Sequence, residues 1–363
     1  MVSLLKSQLL LCLLLLSPSL GFSLCTPSPA RDDLRFGSPT SRSRSSDIMY
    51  SKGLHRMGFV SKSLGLATNS NKAVSIASPR MPIRRAMAEG ESEYGIGMDQ
   101  KSMMESDQLI AVDGLDRAVS SVFVSKKQAH VFNAESPRGI AHRAFSVFLF
   151  NGRNEMLLTQ RALSKITFPG VWTNTCCSHP LHDMSPDEVD DGIESYPDFP
   201  GIKYAAIRKL RHELGIDRKD VPHSEFRFLT RFHYWAADTI TYGKEAPWGE
   251  HEIDYVLFIK CEGEGPTLHG NPDEVDELKY VTSSELKTMM QDSSMLWSPW
   301  FCGIMEKGGF DMWENLDEAM KPEGSKFCNP DITYFDPPEE HMCSFNLQSH
   351  GKETGVLTSI IDA

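Results

Sequence analysis

The sequence predicts an α/β (α+β) chain in which buried strands pack with at least one amphipathic helix. Three observations carry this. Residues 142–150 and 256–259 are runs of β-branched and aromatic side chains that read as buried strands. Residues 204–216 place apolar side chains at helical spacing and stop at Gly215. With 363 residues, 40% of them hydrophobic, the chain is long enough to bury a full core.

At the N-terminus, Lys6 precedes an apolar run over residues 9–16 and then small residues, as in a secretory signal peptide spanning 1–22. That run is too short for a stable membrane span. Residues 34–87 are rich in Ser, Arg and Lys with Asp47 as their only acid, so residues 23–97 read as a disordered, transit-peptide-like leader. The pair resembles the two-part leader of algae with plastids of secondary origin, Gly21-Phe22 included, and predicts plastid import by way of the endoplasmic reticulum. The alternative is simple secretion, which would put the cysteines discussed below at risk of oxidation. Of eight cysteines, two lie in this leader and the other six show no framework spacing.

From about residue 98 to 320 one catalytic domain is expected. His130 and His142 flank its first predicted strands. Residues 173–180, Thr-Asn-Thr-Cys-Cys-Ser-His-Pro, read as strand and turn, so Cys177 and His179 share a face and look into one cleft. Adjacent cysteines do not suit a structural zinc site, whose ligands stand two to four residues apart. In 248–255 the same alternation puts Glu250 and Glu252 on one face, ahead of the 256–259 strand. Three histidines and two glutamates, each at the start or end of a predicted strand, form an octahedral set for Mg²⁺ or Mn²⁺ and, less comfortably, Zn²⁺. Residues 314–320 read as a final helix, and 321–363 as an irregular tail.

The 204–216 helix resembles the Nudix signature but departs from it. Arg208, Leu210, Glu213, Gly215 and Ile216 fit; Lys209 and His212 stand where glutamates are required. Losing two carboxylates argues against diphosphate hydrolysis and leaves diphosphate binding possible. With residues 142–150, Gln160-Arg161-Ala162, 164–170, the cysteine octapeptide, 248–255 and 298–301 in order, the chain resembles the type I isopentenyl-diphosphate isomerases over about 98–320. The resemblance implies a Nudix-like α/β/α sandwich, with a mixed β-sheet flanked by helices.

The resemblance implies reversible conversion of isopentenyl diphosphate to dimethylallyl diphosphate by a proton shift. Protonating an unactivated alkene gives a tertiary carbocation, so an acid, a base and the absence of water are needed. By the family match Glu252, assisted by Tyr234, protonates and Cys177 deprotonates, the thiol lowered from about 8.5 by nearby positive charge. His130, His142, His179, Glu250 and Glu252 bind the first metal, and Glu213 a second Mg²⁺ held with the substrate diphosphate. Arg161 and Lys165, four apart, with Lys126, Lys209 and Ser178, contact that diphosphate, unless Lys126 and Lys209 are ordinary solvated charges. Trp300 is either a core aromatic or a π face that stabilises the cation by about 0.5–2 kcal/mol.

A net charge of −12 excludes a general polyanion binder, and nucleic acid is not an expected partner. A monomer acting on a C5 prenyl diphosphate is expected. The alternative is a Nudix-type hydrolase of a nucleoside or prenyl diphosphate, or else a metal-binding module without catalysis.

Overall fold

The computed structural model describes residues 94–349 apart from 96, 323 and 324, so the leader up to residue 93 and the end of the tail lie outside the described residues. Asp99 caps α1 (Gln100–Ser106) by accepting from the Ser102 N–H at 2.7 Å. The antiparallel pair β1 (Gln108–Val112) and β2 (Ala118–Ser125) follows. Ser125 and Gln128 then form a capping box that starts α2 (Lys126–His130).

The chain continues through β3 (His142–Phe150), β4 (Met156–Arg161), β5 (Trp172–Thr173) and β6 (Cys176–Ser178) to α3 (Pro200–Leu214). Next come β7 (Arg227–Ala237), α4 (Thr239–Tyr242), β8 (Gly249–Lys260) and β9 (Val275–Val281). The C-terminal part holds α5 (Ser283–Met289), α6 (Pro299–Ile304), α7 (Phe310–Glu314), α8 (Leu316–Ala319), β10 (Ile332–Phe335) and α9 (Ser344–Ser349).

The sheet is mixed. β3 and β8 run parallel from His142 opposite Glu252 to Phe150 opposite Lys260. β7 pairs antiparallel with β8, and β10 parallel with β7. The other edge of β3 is shared in turn by β1, β6 and β4. Because side chains alternate across a strand, Phe145, Val147, Leu149, Tyr255 and Leu257 face Ile202, Ala206, Leu210 and Leu214 of α3. Phe148, Phe150, Val256 and Phe258 face the opposite way, onto Phe301, Ile304, Trp313 and Leu316. Helices thus cover both faces, as expected, and each fully buried aliphatic or phenylalanine side chain contributes about 1.5–3 kcal/mol.

The helix expected over 204–216 begins earlier, with Pro200 at its first turn, where a missing N–H costs nothing. Its start is capped from outside by Asp190, whose carboxylate accepts from the Gly201 and Ile202 N–H groups at 3.0 and 2.9 Å. Gly215 ends it at φ +64°, where a Cβ would stand 2.7 Å from that of His269.

Three expectations are corrected. His130 ends helix α2 rather than a strand, because the capping box winds the preceding residues. The final helix breaks at Asn315 (φ −112°, ψ 41°) into α7 and α8. The tail is not irregular throughout: it supplies β10, which pairs with the free edge of β7.

Candidate active site

Strand register builds the site. Tyr234, Glu252 and His142 occupy neighbouring positions on β7, β8 and β3, so they form one row across a single face of the sheet. On the far side of β3, Cys177 lies opposite Ser146, on the same face. Glu250 precedes Glu252 by two, and His179 follows Cys177 by two, so alternation delivers both to this face.

The Tyr234 hydroxyl donates to Glu252 Oε2. Glu252 Oε1 stands 2.8 Å from His179 Nε2 and 3.6 Å from His142 Nε2, while His130 Nε2 is 2.7 Å from Glu250 Oε2. Among the described residues, His130, His142, His179, Glu250 and Glu252 form a buried cluster whose donor atoms all lie within 4.8 Å of one another. His130 and His142 each direct Nδ1 at a backbone carbonyl, Lys126 at 2.6 Å and Ile140 at 2.8 Å. A carbonyl only accepts, so Nδ1 carries the proton and Nε2 presents its lone pair to the cluster.

His130 Nε2, His142 Nε2 and Glu250 Oε2 are buried with no hydrogen-bond partner, which is costly unless a cation takes them up. The donor set therefore fits a divalent metal ion. Burial opposes ionisation of both glutamates, but positive charge at the cluster, on protonated His130 and His142 or on a cation in their place, more than offsets it and holds both below the usual carboxylate range. Burial keeps His179 neutral by pushing it well below the ordinary histidine value.

Cys177 Sγ is 2.8 Å from Asn174 Oδ1, to which its S–H donates, and accepts from Trp300 Nε1 at 2.9 Å. Thr173 Oγ1 is 3.6 Å away. The expectation that positive charge lowers this thiol is corrected: burial, and then the Asp254 carboxyl, push it up to about 12, against a smaller lowering by Arg161. Asp254, the next residue on the Glu250–Glu252 face, accepts from Ser146 Oγ at 2.7 Å. Burial and the Glu252 charge raise it well above the usual carboxylate value. Cys176 points the other way, into the core against α3, with Sγ 3.4 Å from Glu213 Oε2.

Cys177, Ser178, Tyr234, Trp300 and the three basic residues Lys126, Arg161 and Lys165 line one cleft with His179, Glu250 and Glu252. Its empty volume is about 360 Å³, including open solvent at the mouth. Trp300 is 3% exposed in the core and also walls the cleft. The Arg161 guanidinium lies 5.5 Å from the Trp300 ring and is aimed by the Phe168 and Thr167 carbonyls at 3.0 and 2.8 Å. Lys209 is buried rather than solvated, paired with Glu213 at 3.1 Å. Burial, then the charges of Lys165 and Lys209, push Lys126 down to about 8.

Sequence reasoning missed Glu274, the buried counter-ion of this group. It pairs with Lys165 and stands 3.9 Å from Lys209 and 3.5 Å from His212. The turn-like Asn271-Pro272-Asp273 before it gave no sign of burial. Asp254, by contrast, was readable from the alternation that revealed Glu250 and Glu252.

Residues 140–301 match the NUDIX domain. The chain is 45% identical over 225 residues to an isopentenyl-diphosphate delta-isomerase of Gibberella zeae, which covers 62% of this chain and 83% of that protein. It is also 45% identical over 224 residues to the isopentenyl-diphosphate delta-isomerase of Schizosaccharomyces pombe, covering 61% and 90%. A third relative, isopentenyl-diphosphate Delta-isomerase II, chloroplastic, of Arabidopsis thaliana, is 38% identical over 264 residues, 70% of this chain and 87% of that one. The chain belongs to the isopentenyl-diphosphate delta-isomerase family.

Proposed function

We propose that the protein interconverts isopentenyl diphosphate and dimethylallyl diphosphate, with Cys177 and the Tyr234–Glu252 pair as its two proton-handling groups. The observation that carries this is the opening of all three onto one cleft walled by Trp300. In the forward direction a proton adds to the terminal methylene, positive charge develops at the tertiary carbon, and a proton leaves the methylene on the diphosphate side. Glu252, with the Tyr234 hydroxyl on its Oε2, serves the first carbon, and Cys177 the second. A protonated thiol beside an ionised Glu252 is the state that forward turnover leaves and reverse turnover starts from.

His130, His142, His179, Glu250 and Glu252 would hold a divalent cation, Mg²⁺ in this reading with Mn²⁺ or Zn²⁺ as alternatives. When bound, that ion supplies fixed positive charge beside the Glu252 carboxylate. In this reading Lys126, Arg161, Lys165, Lys209 and Ser178 would receive the diphosphate, and Glu213 would hold a second Mg²⁺ bound with it. The Trp300 face excludes water and favours positive charge near its ring. Hydrolysis is disfavoured by α3, where Lys209 and His212 stand in place of carboxylates and lie against Glu274.

Plastid import through the endoplasmic reticulum is the localisation we propose for the chain. It is supported by the leader composition and by the chloroplastic Arabidopsis relative. No helix among the described residues is long and apolar enough to cross a membrane.

The test is incubation of the protein with isopentenyl diphosphate in heavy water, with divalent cation and reduced thiols. Deuterium should enter the C5 chain and the allylic isomer should form. Release of phosphate, or recovery of unlabelled substrate, would overturn the reading.

A further inference from the structure

The segment beyond Lys321 has no part in the reaction as described, yet it reaches the back of the catalytic row. Parallel pairing of β10 with β7 puts Phe335 opposite Tyr234, so the row reads Phe335, Tyr234, Glu252, His142 across four strands. The Phe335 and Tyr234 rings stack with centroids 5.6 Å apart and planes within 8° of parallel. Phe335 also packs on Gly303 of α6, where a Cβ would come within 2.3 Å of its ring. The same helix carries Trp300, the hydrogen-bond donor to Cys177.

The strand that brings Phe335 here is anchored independently. Asn329 N–H donates to the Leu229 carbonyl at 2.8 Å, and Trp235 Nε1 donates to Asp336 Oδ1 at 3.0 Å. Arg231 donates to the Pro330 carbonyl.

We propose that Phe335 is a positioning residue for the isomerisation, its ring holding the Tyr234 phenol where the hydroxyl meets Glu252. The proposal rests on the catalytic reading of Tyr234 given above. A tyrosine side chain turns about two bonds, and its hydroxyl sits at the far end of the lever. Small rotations about the Cα–Cβ bond therefore swing the hydroxyl through displacements that proton transfer tolerates poorly, since misplacement by about 1 Å can cost about 100-fold. A flat ring stacked on one face, itself seated on a glycine, removes that freedom without touching substrate.

The experiment is a double-mutant cycle on the full chain, comparing wild type, Phe335→Ala, Tyr234→Phe and the double variant. Phe335→Ala should lower kcat about 10-fold and change KM less than about twofold, and Phe335→Tyr should restore most of the loss. In the Tyr234→Phe background Phe335→Ala should add less than about a twofold loss, because the group it acts through is gone. If Phe335→Ala does not fold, Phe335→Leu, which keeps apolar bulk but no ring, takes its place. Losses that multiply in the double variant, or an unaltered kcat in Phe335→Ala, overturn the proposal, as does a Tyr234→Phe variant with wild-type kcat.

A substrate-free readout separates this from failure of the isomerase reading. In tyrosine-labelled protein the Tyr234 ring resonances, assigned by their loss in Tyr234→Phe, should move in Phe335→Ala as the ring current is removed. Resonances that stay in place sink the positioning claim whatever the turnover shows. Absence of wild-type turnover with moving resonances sinks the isomerase reading instead, and with it the catalytic use of the stack.

Discussion

Cys176 and Cys177 are neighbours in the chain but face opposite layers, one toward α3 and the other toward Trp300. Of the two, only Cys177 lines the cleft. Cys177→Ala should therefore lower turnover at least ~100-fold, the scale for removing a positioned acid or base, checked by isotope exchange at saturating substrate. Glu274 yields a prediction about stability. Burial opposes its charge, but Lys165 and Lys209 prevail and hold it well below the usual range. A carboxylate depressed in the folded state contributes stability in full above its unfolded value near 4.3, and the contribution fades as pH falls from there through the folded value. Glu274→Gln should thus cost about 3 kcal/mol at pH 7, because it takes the paired carboxylate from buried Lys165, and the gap to wild type should close below about pH 4. Denaturant titrations at pH 7 and at acid pH measure both. Among individual residues, those whose position follows from strand alternation were legible: Cys177, His179, Glu250 and Glu252. Glu274 was not, because its partners come from α3 and the loop after β4, and no local spacing encodes those encounters.

At the level of elements, α3 was read from its apolar spacing and its glycine stop, and both hold. Its N-terminal turn escaped because the cap is Asp190, ten residues before Pro200 in the chain, rather than a neighbouring Ser or Thr. Gly215→Ala should destabilise the protein by at least about 1 kcal/mol, from the left-handed backbone alone, with overlap on His269 adding to it. Thermal or denaturant unfolding checks the value. α2 escaped for a related reason: five residues are too few for a periodic signal, and only the capping box betrays them. Strand β10 is short and follows Pro322 and Pro330, so its polar surroundings masked the two aromatics that end it. Its pairing with β7 was beyond reach of any local pattern, since 99–101 residues separate partners such as Trp235 from Tyr334 and Asp336.

For the whole molecule, the histidine and glutamate donors converge from α2, β3, the turn after β6 and β8. Stripping divalent cations with a chelator should abolish isomerisation and lower Tm, and restoring Mg²⁺ should recover both, because a ligand bound only by the native state stabilises it. A Tm indifferent to the chelator would show that no cation belongs at this centre. The cross-strand row from Phe335 to His142 has a counterpart in time. Residue 130 must meet residue 252, and residue 335 must meet 234, before the centre is complete. No stretch of nascent or partly translocated chain shorter than that can form it. On the localisation and metal site proposed above, the identity of the ion would be selected in whichever compartment the polypeptide finishes collapsing, from the metals free there.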